Sequence, residues 1–288
     1  MRISSAFKSG KTVFSLEIFP PKKETGDIST IYKTLDGLES IKPDFISVTY
    51  GAGGNRADLT TFEICKIIKE KYNLEALAHL TCVNSTREDI DYILQRLNES
   101  NIENILALRG DIREGVTPKD DFKHASDLVE YIKNSGYDFS VSGACYPEVH
   151  IDAESPVSDI LALKKKVECG AEHLVSQLFF DNNAFYSFLE KARIAGIDVP
   201  IEAGIMPVVN VHQINRMVSM CGASLPAKFS KTMSRFADNP QALFDAGVAY
   251  AIDQIIDLIS NGVDGIHLYT MNNPAVAQRI FSAIDSMR

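Results

Sequence analysis

Polar side chains that interrupt short apolar runs are the places where this sequence could do chemistry. Glu17 sits inside TVFSLEIF, and His79 with Thr81 sits inside EALAHLTC. Thr49 and Tyr50, Arg109 and Asp111, Tyr146 with Glu148 and His150, Gln177 with Asp181, and Tyr269 with Thr270 fall at or just past the ends of similar runs. A carboxylate such as Glu17 is costly to bury alone. It therefore either forms a structural ion pair or works as a proton donor whose value burial has raised. His79 and His267 read as satisfied core histidines or as acid–base groups. Glu148, His79 and His150 are metal-competent types, but their spacing matches no zinc motif and no metal is expected. Cys82 and Cys145 lie near run ends without a nucleophile signature. Asp111, following Arg109-Gly110, also reads as a turn residue with a salt bridge.

Two phosphate-like strings fail on context. Ser9-Gly10-Lys11-Thr12 resembles the end of a P-loop, but the first glycine of that motif would fall at Ser5, and the string precedes an apolar run instead of following one. Gly51-Ala52-Gly53-Gly54 follows a run but is not GxGxxG; it would let backbone approach a ligand closely. The triplet Lys164-Lys165-Lys166 reads by itself as a solvated helix face.

These residues need elements to position them. Eight β-rich runs are predicted: Thr12–Phe19, Asp44–Tyr50, Glu75–Cys82, Glu103–Arg109, Phe139–Tyr146, Glu172–Phe180, Pro200–Met206 and Gly265–Thr270. Apolar residues at helical spacing fill Ile28–Ile41, Leu59–Tyr72, Arg87–Asn98, Ala125–Asn134, Val157–Cys169 and Ala184–Ala195, with a final helix over Pro274–Met287. Gly136, Gly170, Gly196 and Gly262 mark helix ends. The stretch from Val208 to Asp264 should hold two helices. Strand–helix alternation implies parallel strands with right-handed crossovers. Eight such units predict a (β/α)8 TIM barrel, read as a single domain over residues 1–288, with its chemistry at the C-terminal ends of the strands.

The 288 residues carry 29 Lys and Arg against 38 Asp and Glu, a net charge of −9, which argues against nonspecific binding to nucleic acid or to an anionic membrane. No apolar run approaches a membrane span, and Met1 to Lys11 lacks a signal core. Five cysteines without a CxxC pair fit a reducing, cytoplasmic setting.

Several strings occur together in order: SLEIFPP from Ser15, SVTYGA from Ser47, HLTC from His79, LRGD from Leu108, YPEVH from Tyr146, QLFFD from Gln177, GIMP from Gly204 and HLYTMN from His267. The set closely resembles methylenetetrahydrofolate reductase of the short, bacterial type, from about residue 12 to the C-terminus. The resemblance implies a barrel carrying FAD that reduces 5,10-methylenetetrahydrofolate to 5-methyltetrahydrofolate with NADH or NADPH, by ping-pong hydride transfer feeding methionine synthesis. It also implies a cytoplasmic homo-oligomer without the regulatory domain of the eukaryotic enzymes.

Carried over position by position, the resemblance makes Glu17 the general acid that protonates folate N10. It makes Asp111 a catalytic charge beside flavin and pterin. FAD contacts fall on Thr49, Tyr50, Ala52, His79, Arg109, Gly110, Asp111, Ala125, Tyr146, His150, Ala153, Asp159, Lys165 and Lys166, the last two meeting the pyrophosphate. Thr49 also falls where nicotinamide and substrate are met. Gln177, Gln213 and Tyr269 fall on substrate positions. Three positions depart from the family pattern: His124, where a flavin-adjacent tyrosine is usual; Met217, in place of a stacking phenylalanine; and Asn273, in place of a folate-facing arginine. Two other readings remain: a proline dehydrogenase-like flavoenzyme, and an electron-transfer or scaffold flavin subunit of a larger one-carbon assembly.

Overall fold

A computed structural model describes residues 1–21, 28–50, 60–112, 117–210, 214 and 221–288. Eight strands close into one parallel barrel in the order of the sequence: β1 (Val13–Ile18), β2 (Phe45–Val48), β3 (Ala76–Thr81), β4 (Asn104–Leu108), β5 (Ser140–Cys145), β6 (His173–Ser176), β7 (Ile201–Ile205) and β8 (Gly265–Tyr269). Closure is made by β1 on β8, where Ser15 pairs with His267 and Glu17 with Tyr269. The (β/α)8 barrel expected from the alternation is the fold observed.

Helices α1 (Ser29–Leu38), α2 (Thr60–Tyr72), α3 (Arg87–Glu99), α4 (Ala125–Lys133), α5 (Pro156–Glu168) and α6 (Asn182–Ile194) follow the first six strands. The long segment before β8 carries α7 (Ala227–Arg235) and α8 (Pro240–Ser260), and α9 (Pro274–Ile284) comes last. Their starts are chemically specified. Thr86 and Asp89 form a capping box at α3, and Ser155 caps α5 ahead of Pro156. Asn239 and Asn273 do the same ahead of Pro240 and Pro274. The four glycines expected at helix ends all adopt left-handed backbone.

The strands divide their faces by the two-residue period. Outward residues such as Leu16, Ile18, Ile46, Val48, Leu80 and Ile105 join the helices in one apolar core. Inward, the floor of the barrel is apolar: Val13, Phe45, Leu77, Leu106 and Val175 pack with Ile3 of an N-terminal 3-10 turn, Ile3–Ser9. That turn, which sequence periodicity does not reveal, closes the barrel from below. The Ile3 N–H donates to Asn104 Oδ1 (2.8 Å), and the Phe7 ring lies 4.7 Å from that of His173. Above this floor the inner face turns polar, with Ser15, Glu17, Ser47, His79, Ser142, His173, Glu202 and His267 all buried.

Candidate active site

Glu17 is the last inward residue of β1, and both sides of its strand end are fixed. The Thr270 hydroxyl donates to its carbonyl (2.6 Å), and the Asn272 side chain bonds both the N–H and the carbonyl of Phe19 at 2.8 Å. The carboxylate meets Ser47 from β2, His79 from β3 and His267 from β8. Its Oε2 lies 3.3 Å from Ser47 Oγ, 3.4 Å from His79 Nε2 and 3.3 Å from His267 Nε2. No lysine or arginine among the described residues pairs with it, so the partners of this buried carboxyl are histidines.

Those partners correct one expectation. Burial pushes the Glu17 carboxyl up and is the largest single influence. Against it stand the His267 hydrogen bond, the positive charge that His79 and His267 carry when protonated, and the Ser47 hydroxyl; together they hold Glu17 below the ordinary carboxylate value. Burial drops His79 to about 4 against the pull of Glu17, so His79 is neutral near pH 7. Glu17 is therefore an ionised, hydrogen-bonded group near neutral pH.

The ends of β4 and β5, the first turn of α4 and one side of α5 enclose a cleft of about 400 Å³. Small residues, among them Ala125, Ala144, Ala153 and Ala162, form much of its wall; Arg109, Lys165 and Lys166 bring cations, and Ala125 begins α4. The Lys166 ammonium donates to the Ala144 carbonyl (2.5 Å), and Arg109 pairs with Asp152 (2.7 Å). His150 is held by its N–H on Asp159 Oδ2 (3.2 Å) and stands edge-on to Tyr146, 4.5 Å between rings. Burial pushes Asp159 up and Lys166 down from their usual values. A second cleft of about 320 Å³ shares Arg109, Tyr146, His150 and Asp152 and adds Asp111, Gln177 and Cys221. With Arg109, Lys165 and Lys166 on its wall and the first turns of α4 and α5 opening onto it, the first cleft offers the positive charge and helix N-termini that an anionic group such as a phosphate needs.

The structure thus gathers Arg109, Ala125, Tyr146, His150, Ala153, Asp159, Lys165 and Lys166 into one cleft, and Asp111 and Gln177 into its neighbour. Gly110 leads out of β4 between them. His79 belongs to the Glu17 cluster. Thr49 and Tyr50 follow directly on β2, with the Thr49 carbonyl accepting from Thr61 Oγ1 (2.8 Å). Gln177 Oε1 accepts from the Leu178 N–H (2.8 Å), leaving the amide NH2 as the donor available to a ligand. Tyr269 spends its hydroxyl on the Ser176 carbonyl (2.8 Å) and stands edge-on to His267, so it offers a ring rather than a polar group. Ala52, Gln213, Met217 and the glycine-rich run 51–54 lie outside the described residues. His124 N-caps α4 and lines the first cleft, and Asn273 caps α9 through its Oδ1. Burial pushes the thiols of Cys82 and Cys145 up to about 12, which leaves them poor nucleophiles.

Sequence reasoning missed Ser15, Ser47, Ser142, His173 and Glu202. The signal was present, because each occupies the inward phase of a β-rich run, next to at least one buried apolar residue. What the sequence could not supply was the partner across the barrel.

A family description of methylenetetrahydrofolate reductase matches residues 2–285. The 5,10-methylenetetrahydrofolate reductase of Pectobacterium carotovorum subsp. carotovorum is 38% identical over 279 residues, covering 96% of this chain and 91% of its own. That of Escherichia coli (strain K12) is 36% identical over 277 residues, covering 96% and 92%. The methylenetetrahydrofolate reductase (NADH) 1 of Arabidopsis thaliana is 38% identical over 285 residues, but this chain spans only 48% of its length, about half. Among solved structures, an uncharacterized protein from Clostridium thermocellum that binds two copies of 5-methyl-5,6,7,8-tetrahydrofolic acid shares the fold. Its TM-score is 0.62, its identity 13%, and the match covers 99% of each chain.

Proposed function

This chain belongs to the methylenetetrahydrofolate reductase family, and from that premise we propose that it reduces 5,10-methylenetetrahydrofolate to 5-methyltetrahydrofolate with NADH or NADPH, using a bound FAD. One observation carries the reading most strongly: a buried carboxyl on two histidines stands at the strand ends of the barrel whose β4 and β5 ends line a cation-bearing cleft. Bound FAD supplies the route by which hydride passes from nicotinamide to folate.

The chain's own residues do the rest. Arg109, Lys165 and Lys166 neutralise the pyrophosphate, and His150 and Tyr146 wall the adjoining space. Gln177 offers its NH2 to the pterin, and Asp111 accepts from the pterin's donors. Glu17 delivers a proton to N10, which opens the five-membered ring to the iminium that accepts hydride. Since its histidine and serine partners hold Glu17 ionised, it must gain a proton before it can give one to N10. The family reading also carries a cytoplasmic homo-oligomer. No helix among the described residues is long and apolar enough to cross a membrane.

The test is an anaerobic absorption spectrum of the purified protein. Oxidised-flavin bands should bleach with NADH or NADPH and return with methylenetetrahydrofolate. Bands that bleach but return only with another acceptor would favour the electron-transfer reading. Bands returning with a proline-derived acceptor would favour the proline dehydrogenase-like one. Failure to bind flavin would overturn the proposal.

A further inference from the structure

The Glu17 cluster does not end at His267. Below it, His267 Nδ1 lies 2.7 Å from Ser15 Oγ, and Ser15 Oγ lies 2.9 Å from Glu202 Oε1. Glu202 Oε2 lies 3.1 Å from His173 Nε2, and His173 Nδ1 lies 3.0 Å from Ser142 Oγ. A continuous file of polar contacts therefore runs down the inside of the barrel from the site to the apolar floor. Glu202 and His173 are fully buried, and Gly265 on β8 makes the room: a β-carbon there would fall 2.7 Å from Glu202 Cγ.

Counting hydrogens along this file gives a definite result. At the lower end, the Ser142 hydroxyl donates to His173 Nδ1 and His173 Nε2–H donates to Glu202, so that end is satisfied by neutral groups. At the upper end, His79 Nε2–H donates to Ser47 Oγ (2.7 Å) and the Ser47 hydroxyl donates to Glu17. Between the two carboxylates lie three contacts: Glu202–Ser15, Ser15–His267 and His267–Glu17. Each requires one hydrogen. The Ser15 hydroxyl and a neutral His267 own two. With both carboxylates ionised and no further proton, one contact sets lone pair against lone pair where water cannot intervene.

We infer that the segment Glu17–His267–Ser15–Glu202 stores one additional proton, seated on His267 at rest and delivered through Glu17. Glu202 is a positioning residue: by taking the Ser15 hydroxyl hydrogen it obliges His267 to keep Nδ1 protonated. His267 is the seat because it alone makes two of the three contacts, Nε2 on Glu17 and Nδ1 on Ser15, and can carry a hydrogen on each. The groups facing this segment are Ser47, His79 and Tyr269 around Glu17 and His173 beside Glu202. No lysine or arginine among the described residues is ion-paired with either carboxylate.

This inference rests on the proposed folate reduction and supplies its proton. The proton crosses from His267 Nε2 to Glu17. The Glu17 O–H bond then breaks, its electron pair stays on the carboxylate, and an N–H bond forms at N10. The emptied segment holds the unfavourable lone-pair contact, so it draws a new proton from water as product leaves.

Glu202→Gln tests the idea. Its NH2 donates to Ser15, Ser15 donates to His267 Nδ1, and His267 Nε2–H donates to Glu17, so no stored proton is needed. Flavin-loaded wild type and variant would be compared in anaerobic stopped flow across pH. Bleaching by NADH should be unchanged. Reoxidation by methylenetetrahydrofolate should slow at least about tenfold near neutrality, and its alkaline limb should move to lower pH. Independently of turnover, spectra of ¹⁵N-histidine-labelled protein should show both ring nitrogens of His267 protonated in wild type, and Nδ1 bare with Nε2 protonated in the variant. Unchanged reoxidation at every pH, or either ring nitrogen of His267 bare in wild type, overturns the inference. If Glu202→Gln does not bind flavin, Ser15→Ala breaks the same file at its hydroxyl and is read the same way. If wild type itself is not reoxidised by the folate, the proposed reduction fails, while the histidine spectra still decide whether the proton is stored.

Discussion

Gly247 of α8 and Val208, just beyond β7, approach more closely than any side chain would permit: a β-carbon on Gly247 would fall 1.8 Å from the Val208 carbonyl oxygen. The contact seats α8 against the chain leaving β7. In a helix interior, Gly to Ala ordinarily gains about 1 kcal/mol. Here the clash is with backbone, which cannot rotate away, and overpacking typically costs about 1–3 kcal/mol or more. Gly247→Ala should therefore lower the melting temperature by several degrees, by about 2–4 °C for each kcal/mol lost. A melting temperature equal to or above wild type would show that α8 is free to shift.

Glu17→Gln should separate the two half-reactions. The amide keeps a similar shape but cannot give up a proton as an acid. Folate-dependent flavin reoxidation should fall by about 10² to 10⁴, the range for loss of a positioned general acid, while bleaching by NADH stays near wild type. Stopped-flow absorbance reads both; equal losses in the two would assign Glu17 to flavin positioning instead.

Much of this site was legible beforehand, and the boundary is physical. The apolar run SLEI interrupted by a carboxylate singled out Glu17 as a strand-end group, whereas Ser15 and Glu202, which share the inward phase of their strands, were passed over. The β-rich runs were located to within a few residues because apolar alternation and turn residues are local signals. The state of Glu17 was not legible. It depends on His267, which lies 250 positions away and meets it only when the barrel closes. Burial alone predicted a raised carboxyl, and two histidines from other strands reversed the direction. His173 and Glu202 were invisible as a pair for the same reason.

Lys166→Met should weaken flavin binding while leaving the fold intact, since methionine keeps the unbranched stem. The loss of one charge-assisted contact is worth about 1.5–3 kcal/mol, or roughly 10- to 100-fold in affinity. Lys164, outside the lining of the cleft, is the control, and Lys164→Met should bind flavin as wild type does. Titration of flavin fluorescence against apoprotein distinguishes them; equal affinities in all three proteins would remove Lys166 from the proposed pyrophosphate site.

Acid should destabilise the protein through His79. Its native value of about 4 lies below the ordinary histidine value of 6.5. Between these values the unfolded chain binds the proton and the native chain does not, so stability falls as pH drops through that window. The full contribution is roughly 3 kcal/mol. Glu17, held below its ordinary value, adds a loss in the same direction only at still lower pH. Urea midpoints at several pH values should decline between neutrality and about pH 4, and His79→Gln should flatten that decline. An unaltered slope in the variant would assign the acid sensitivity to other groups.

The pairing of Glu17 on β1 with His267 on β8 has a consequence for the life of the chain on the ribosome. The first strand emerges long before the eighth, and during that interval its carboxyl has no His267 to meet. Only when β8 docks does the sheet lose its two open edges, and the same event completes the acid. Catalytic competence is in this sense a report on barrel closure. A partly folded chain missing its final strand could already fold the β4–β5 walls of the cleft, yet it would lack the His267–Glu17 contact and so be chemically silent.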